Sequence, residues 1–341
     1  MDLKNHLSGK KNYTSEDVAE LAGVSQSTVS RVFAGSANVS EKKRKKILEI
    51  AGKLNYQPNA IARGLSTKRT KMIGIVMRDF RNPFYPVVLA KFYGSLSKMG
   101  YHLIFINTEN EYIQEKEINK LIDYNVEGVI ITDALLSSSE AARFSRHKII
   151  VVLFNRYIEN SKSSAVYCDN YLGGREIGTY LVGMGHRSFA FISGPFKTST
   201  SIDRKKGFQE VLQENGITEL IIHGGDYTYE SGFKAAQEII SRQGKIDCIF
   251  CANDIIAIGA MEGIRQMGLK IPDDISIVGF DDINMASWPS FSLTTWRYSM
   301  DKLVEETVEL LHAEINGQIQ QPKTIIVKGH LVFRNTVKRK S

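Results

Sequence analysis

Cysteine is scarce. The 341 residues hold three, Cys168, Cys248 and Cys251, which cannot all pair and which exclude a disulfide-stapled secreted scaffold. Cys248 and Cys251 form a C-x-x-C, so thiol redox and zinc chemistry have to be weighed. The pair sits in DCIFCAND, an apolar run that reads as a buried strand, where residues three apart face opposite sides. No second Cys or His pair stands nearby to complete four ligands, and packing is the plainer role. The seven histidines are scattered without metal-ligand spacing. Long apolar runs are missing as well: nothing approaches the about 18 residues that cross a bilayer, and MDLKNHLSGKK lacks the apolar core of a secretory signal. A cytoplasmic protein without membrane association is expected. Enzyme signatures are absent too, with no G-x-x-x-x-G-K-[ST], no H-E-x-x-H and no G-x-S-x-G. GGREIG at 173–178 has the spacing G-G-x-x-x-G, not that of a dinucleotide loop, and close helix packing accounts for it. No catalytic residues, cofactor or metal are expected.

What the chain does have is an uneven charge. Residues 1–71 carry 14 Lys and Arg against 6 Asp and Glu, a net of +8, while the other 270 carry 30 against 31, a net of −1. The basic segment contains YTSEDVAELAGVSQSTVSRVF. Thr14 is a good N-cap with Asp17 in the reciprocal position, and Val18, Ala19, Leu21 and Ala22 form an apolar stripe at helical spacing. Gly23 stops this helix, and Ser25 caps a second one through Phe33, with Val29 and Val32 facing inward. Two helices joined by a tight Gly-containing turn read either as a DNA-reading helix-turn-helix or as an ordinary amphipathic hairpin. Gln26, Ser27 and Arg31 lie outside the apolar set, where Gln suits an adenine edge, Arg a guanine edge and Ser either. EKKRKK at 41–46 opens a third helix; beside a helix-turn-helix, its cations fit phosphate attraction better than a merely solvated face.

After that helix, LNYQPNAIARGLSTKRTK holds a turn or two of helix, too short to be stable alone, and a polar linker. From Lys71 the texture changes to short apolar runs, among them MIGIVM, GVIIT, IIVVLF, SFAFIS and ISIVGF, alternating with amphipathic segments. Buried strands alternating with helices predict doubly wound parallel sheets. The length exceeds one ordinary sheet, so two lobes with a cleft between them are expected. Ligands bind such sheets beyond the carboxyl ends of the strands. Those ends carry Arg78, Asp79 and Phe80, then Thr132 and Asp133, Asn155 and Arg156, Asn253 and Asp254, and Asp281 and Asp282.

The ordered set DVAELAGVSQSTVSRVF, NVS, NYQPNAIARGL, IGIVM, NPFYP, ISGP, GDYTYESGF, ANDIIAIGAM, PDDISIVGFDD and LTT resembles bacterial transcription regulators of the lactose-repressor (LacI) family, in order from about Thr14 to Arg334. The resemblance implies a helical headpiece over 12–57, a hinge helix and linker over 58–70, and a two-lobe, periplasmic-binding-protein-like α/β core over 71–341. Lobe 1 is expected at approximately 71–165 plus 296–322, and lobe 2 at approximately 166–295 plus 323–341. By position, Gln26 and Ser27 match the residues that vary with operator sequence, Arg31 a common base contact, and Leu65 a hinge leucine that wedges into the minor groove. Thr14, Ser25, Thr28, Ser30, Asn59 and Ala62 complete the implied DNA-binding set. Arg204 and Asp281 match effector contacts, with Arg78, Asn155, Tyr227 and Asn253 at further pocket positions and Asp79 and Phe80 beside them. The chain departs from the family at Ala34, where Asn is usual, and at Arg78, where a small residue or proline is common.

The partners implied are a pseudo-palindromic double-stranded operator, a second copy of the chain and a small sugar-like effector. Asn155, Asn253 and Asp281 suit paired hydroxyls, and Phe80 and Tyr227 an apolar sugar face. Arg78 and Arg156 either pair with local carboxylates or, added to Arg204, call for a sugar acid or sugar phosphate. A periplasmic sugar-binding protein would need an export signal and no basic helix-turn-helix. A sugar-acting α/β enzyme would need a catalytic constellation.

Overall fold

The computed structural model describes residues 13–33, 35, 38–57, 69–78, 82–243 and 246–340. The chain divides into two compact units, Met1–Lys71 and Met72–Ser341.

The first unit is a helix-turn-helix with a third helix: α1 Ser15–Ala22, α2 Gln26–Phe33 and α3 Glu41–Lys53. Local chemistry sets its ends. Asp17 donates its backbone N–H to Thr14 Oγ1 at 3.4 Å, and the Thr14 N–H returns to Asp17 Oδ2 at 2.8 Å. Gly23, at φ 66°, takes the left-handed turn that ends α1, and its N–H reaches the Ala19 and Glu20 carbonyls. The Ser25 carbonyl accepts from Thr28 and Val29 at the start of α2. Its hydroxyl, expected as a cap, instead meets the Ser27 and Thr28 hydroxyls, each at 2.9 Å. Val18, Ala22, Val29, Val32, Ile47 and Ile50 close one small core, and Arg44 Nη1 donates to the Val32 carbonyl near the end of α2. A core this small depends on its caps. Thr14→Val should cost about 1 kcal/mol, read as faster amide hydrogen exchange across α1 in the full chain. Unchanged exchange would mean that the cap contributes nothing.

The second unit holds two six-stranded sheets. The strands are β1 Met72–Met77, β2 His102–Asn107, β3 Gly128–Ile131, β4 Ile150–Phe154, β5 Ser164–Cys168, β6 Phe189–Ile192, β7 Leu220–His223, β8 Cys248–Cys251, β9 Ser276–Phe280, β10 Thr294–Tyr298, β11 Thr324–Val327 and β12 Gly329–Val332. The helices between them are α4 Phe84–Lys98, α5 Glu115–Asp123, α6 Ser138–Arg146, α7 Asn170–Gly183, α8 Ser199–Glu214, α9 Tyr229–Gln243, α10 Asp254–Gln266 and α11 Met300–Ile315. The lobe 1 sheet runs β11-β5-β4-β3-β1-β2, parallel throughout; the lobe 2 sheet runs β12-β10-β9-β8-β6-β7, parallel except for β12 against β10. Central strands such as β3, β6 and β8 are buried at every residue, which is why they read as unbroken apolar runs. The chain crosses between the sheets after Cys168, Tyr298 and Val327. The expected boundaries after 165, 295 and 322 are thereby corrected: β5 and β11 belong to lobe 1 and β10 to lobe 2, because strands cannot be cut where their hydrogen bonding continues.

GGREIG lies on α7, which packs backbone to backbone on α8. A Cβ on Gly174 would come within 2.2 Å of the Arg204 carbonyl oxygen. Cys248 and Cys251 are free, wholly buried thiols whose pKa values burial pushes up, as expected of packing residues. No helix among the described residues is long and apolar enough to cross a membrane.

Candidate functional site

On α2, burial of Val29 and Val32 turns Gln26, Ser27, Ser30 and Arg31 outward; all four are exposed, and Thr28 is half-buried. Gln26 Nε2 donates to Ser15 Oγ on α1 at 2.9 Å, a contact that water or a base edge can replace at little cost. Lys42, Lys43, Lys45 and Lys46 stand exposed along the first turns of α3. Donor-rich side chains on a short outward helix, with a row of cations on the helix that follows, have the chemistry to hydrogen-bond base edges and to attract phosphates. Asn59, Ala62 and Leu65, like Ala34, lie outside the described residues.

Between the lobes of the second unit is a cavity of ≈ 390 Å³. Lobe 1 contributes Arg78, Tyr85, Asp133 and Arg156, and lobe 2 contributes Thr198 and Tyr227. Arg78 follows β1, and its N–H is held by Asp133 Oδ1 at 2.7 Å, which also accepts the Thr132 hydroxyl at 2.8 Å. Burial, then the Asp133 charge, pushes the Tyr85 phenol well up, so it remains a donor; Arg156 opposes this shift and Asp281 adds to it. Tyr227, at φ 65°, presses its ring onto Gly194, where a Cβ would stand 2.1 Å from Tyr227 Cζ. Its hydroxyl meets Thr200 Oγ1 at 2.9 Å. Glu109 and Asp226 also line the cavity but are exposed, with their charges screened by water.

Arg156, after β4, is the exceptional group. It is only 5% exposed, and its Nε and Nη1 are buried without a hydrogen-bond partner. Neither Arg78 nor Arg156 forms an ion pair among the described residues. Asn155, beside it, adopts φ 61°, donates its N–H to the Val166 carbonyl, and has a buried Oδ1 without a partner.

Arg204 and Asp281 adjoin the cavity without lining it. Arg204, 2% exposed on α8, donates Nε to Asn170 Oδ1 at 2.8 Å, Nη1 to the Ala252 carbonyl and Nη2 to Asp281 Oδ1 at 3.2 Å, with its guanidinium 3.6 Å from the Phe280 ring centre. Tyr298 donates to the same carboxylate oxygen at 3.1 Å. Burial pushes the Asp281 carboxyl up while Arg204 pulls it down, and the net shift is upward. Burial disfavours the charged Arg204 more than any one neighbour favours it, yet Asp281 together with Cys168, Tyr227 and Tyr298 outweighs it and the net shift is upward. Asp281 holds φ 103°, a backbone state rare for a side-chain-bearing residue and tolerated where surroundings fix it. Asn253, 3% exposed, spends its Oδ1 on the Ile256 N–H as the cap of α10.

Of the eight residues expected at the effector site, Arg78 and Tyr227 line the cavity, Arg204 and Asp281 form the buried pair beside it, and Asn155 and Asn253 are buried at strand ends. Asp79 and Phe80 lie outside the described residues. Tyr85 and Thr198 fall outside the expectation, while Asp133 and Arg156 enter it only as strand-end residues, Arg156 also as a cation for an acidic effector. The last two stand at strand ends and were visible there, whereas Tyr85 and Thr198 come from helix starts that no strand-end rule selects.

Residues 14–59 match the model of bacterial regulatory proteins of the lacI family, and residues 179–337 that of a periplasmic binding protein-like domain. The chain is 31% identical over 332 residues to the HTH-type transcriptional repressor PurR of Histophilus somni, covering 95% of this chain and 99% of that protein. It is 32% identical over 326 residues to the ribose operon repressor of Halalkalibacterium halodurans, covering 95% and 97%. The lac repressor dimer bound to operator and the anti-inducer ONPF matches with a TM-score of 0.86 at 26% identity, covering 96% of this chain and 100% of that one.

Proposed function

The chain belongs to the LacI family of bacterial regulatory proteins, and we propose that it is a cytoplasmic homodimeric repressor whose operator affinity is set by an anionic, sugar-like effector bound between its lobes. As a member of that family it is a DNA-binding transcriptional regulator with a ligand-binding domain, and not an enzyme. In this reading Gln26, Ser27 and Arg31 read base edges in the major groove, while Thr14, Ser25, Thr28 and Ser30 hold the phosphate backbone. Two copies on a twofold axis recognise a pseudo-palindrome. In the same reading Asn59, Ala62 and Leu65 belong to the DNA-binding set, Leu65 as a wedge in the minor groove. The effector shifts the lobes only by its differential affinity for their two arrangements, and that motion is passed to the headpieces.

Arg156 carries the effector class. A buried guanidinium with unmatched donors is costly, and an entering carboxylate or phosphate relieves that cost through charge-assisted hydrogen bonds. Arg78 in the same cavity adds a second cation, and Tyr85 and Tyr227 supply hydroxyl and ring contacts for a sugar. Asn155, with an unused acceptor, suits a hydroxyl. Behind this lining, Arg204, Asp281 and Asn253 back the site from lobe 2 and reach the effector only if the lobes rearrange.

Thermal-shift screening tests the class. Hexonates, uronates or hexose phosphates should raise the melting temperature, neutral sugars should not, and the response should shrink in Arg78→Ala and disappear in Arg156→Gln. Stabilisation by neutral sugars alone, or an undiminished anion response in Arg78→Ala, sinks the reading.

A further inference from the structure

Arg156 belongs to two cavities at once. Besides the ≈ 390 Å³ space already described, it lines a second cavity of ≈ 280 Å³, and Thr198 is shared between them as well. Arg156, a buried cation with two unmatched donors, thus stands in the wall of both spaces. Their chemistry differs. The first offers arginines, tyrosines and the carboxylates of Glu109, Asp133 and Asp226, whereas the second sets Leu135 and Leu136 beyond β3, Tyr157 and Ile158 beyond β4, and Ile202 on α8 beside Tyr112 and Ser199. Glu159 and Lys197, both exposed, stand on its solvent side.

We propose that this second cavity takes an apolar or aromatic arm of the effector, so that the effector is a glycoside carrying both an acid group, held at Arg156, and an apolar aglycone. The inference rests on the reading of the first cavity as the seat of an anionic sugar and extends it. A polyol alone would leave the apolar walls facing water, and an apolar molecule alone would leave Arg156 unmatched; one molecule that spans Arg156 answers both. The position also gives the arm a regulatory consequence. Next to it the lobes are bridged by the Tyr157 N–H donating to Ser199 Oγ at 3.1 Å and the Tyr157 hydroxyl donating to Asp203 Oδ1 at 3.2 Å. Burial and then the Asp203 charge push the Tyr157 phenol up to about 12, so it remains a donor at neutral pH. An arm packed on Tyr157 and Ile202 contacts both lobes, and its contacts change when they move.

Calorimetric titration of the full chain with hexose 6-phosphates, their phenyl glycosides and the neutral phenyl glycosides separates the two halves of the idea. The phenyl glycoside phosphates should bind about tenfold or more tightly than the matching free phosphates, a gain consistent with burying one ring. Ile202→Glu, on an exposed position that leaves the core intact, should remove that advantage and spare the free phosphates. Arg156→Gln should weaken both phosphate classes. Equal affinity with and without the ring, or a ring advantage that survives Ile202→Glu, overturns the inference and leaves the anionic-effector reading standing. Binding of neutral phenyl glycosides alone overturns the anion reading and, with it, the acid half of this inference. Failure of every phosphate to bind, together with no response to hexonates or uronates in the thermal-shift screen, overturns both.

Discussion

Asp281→Ala should melt the effector-binding unit far below the wild type, with a loss of about 3–5 kcal/mol. The reason is Arg204. Its guanidinium is 2% exposed, and Asp281 is its ion-pair partner among the described residues. Removing that carboxylate leaves a buried cation with the Asn170 and Ala252 oxygens and the Phe280 ring, none of which carries a full negative charge. Tyr298 loses its acceptor in the same step. Asp281→Asn keeps an acceptor for both donors and should lose much less. The two variants together separate support from recognition: a fold retained in Asp281→Asn with the effector response gone places Asp281 in the site, and calorimetry of Asp281→Ala checks the energetic argument. A wild-type melting temperature for Asp281→Ala would show that the pair contributes no stability.

Operator affinity should fall on the order of 10³-fold between about 50 and 200 mM salt. The net +8 of residues 1–71 and the exposed lysines of α3 release counterions when they meet phosphate, and a dimer doubles the number of contacts. Arg31→Ala should instead cost about 1–3 kcal/mol on operator and far less on random DNA, because a base-edge contact carries sequence information and a phosphate contact does not. Filter binding over a salt series checks both. A shallow salt slope, or equal losses on the two DNAs for Arg31→Ala, would remove the proposed recognition face.

The headpiece was legible because its determinants are local. The Thr14–Asp17 box, the left-handed Gly23 and the spacing of Val18, Ala22, Val29 and Val32 act within a few residues of where they stand. The same holds for the interior strands, whose burial on both faces writes an apolar run directly into the chain. Edge strands β2 and β7, partly exposed, carry that signal more weakly. The family motifs brought Arg204 and Asp281 forward as a pair of interest, but as contacts to a ligand.

From residue order alone came a basic helix-turn-helix ahead of a two-lobe parallel α/β core, together with the strand-end residues from which its cleft is built. These depend on short-range periodicity, capping and charge, which folding leaves in place. The tertiary structure was needed for everything that joins distant residues. Arg204 meets Asp281 across 77 positions, β5 and β11 pair within lobe 1 although much of the chain separates them, and Arg156 ends buried with unmatched donors while Asp133 is taken up by Arg78 and Thr132. Whether a cation finds a partner depends on which strand ends the sheets bring side by side, and that is a property of topology rather than of any local pattern.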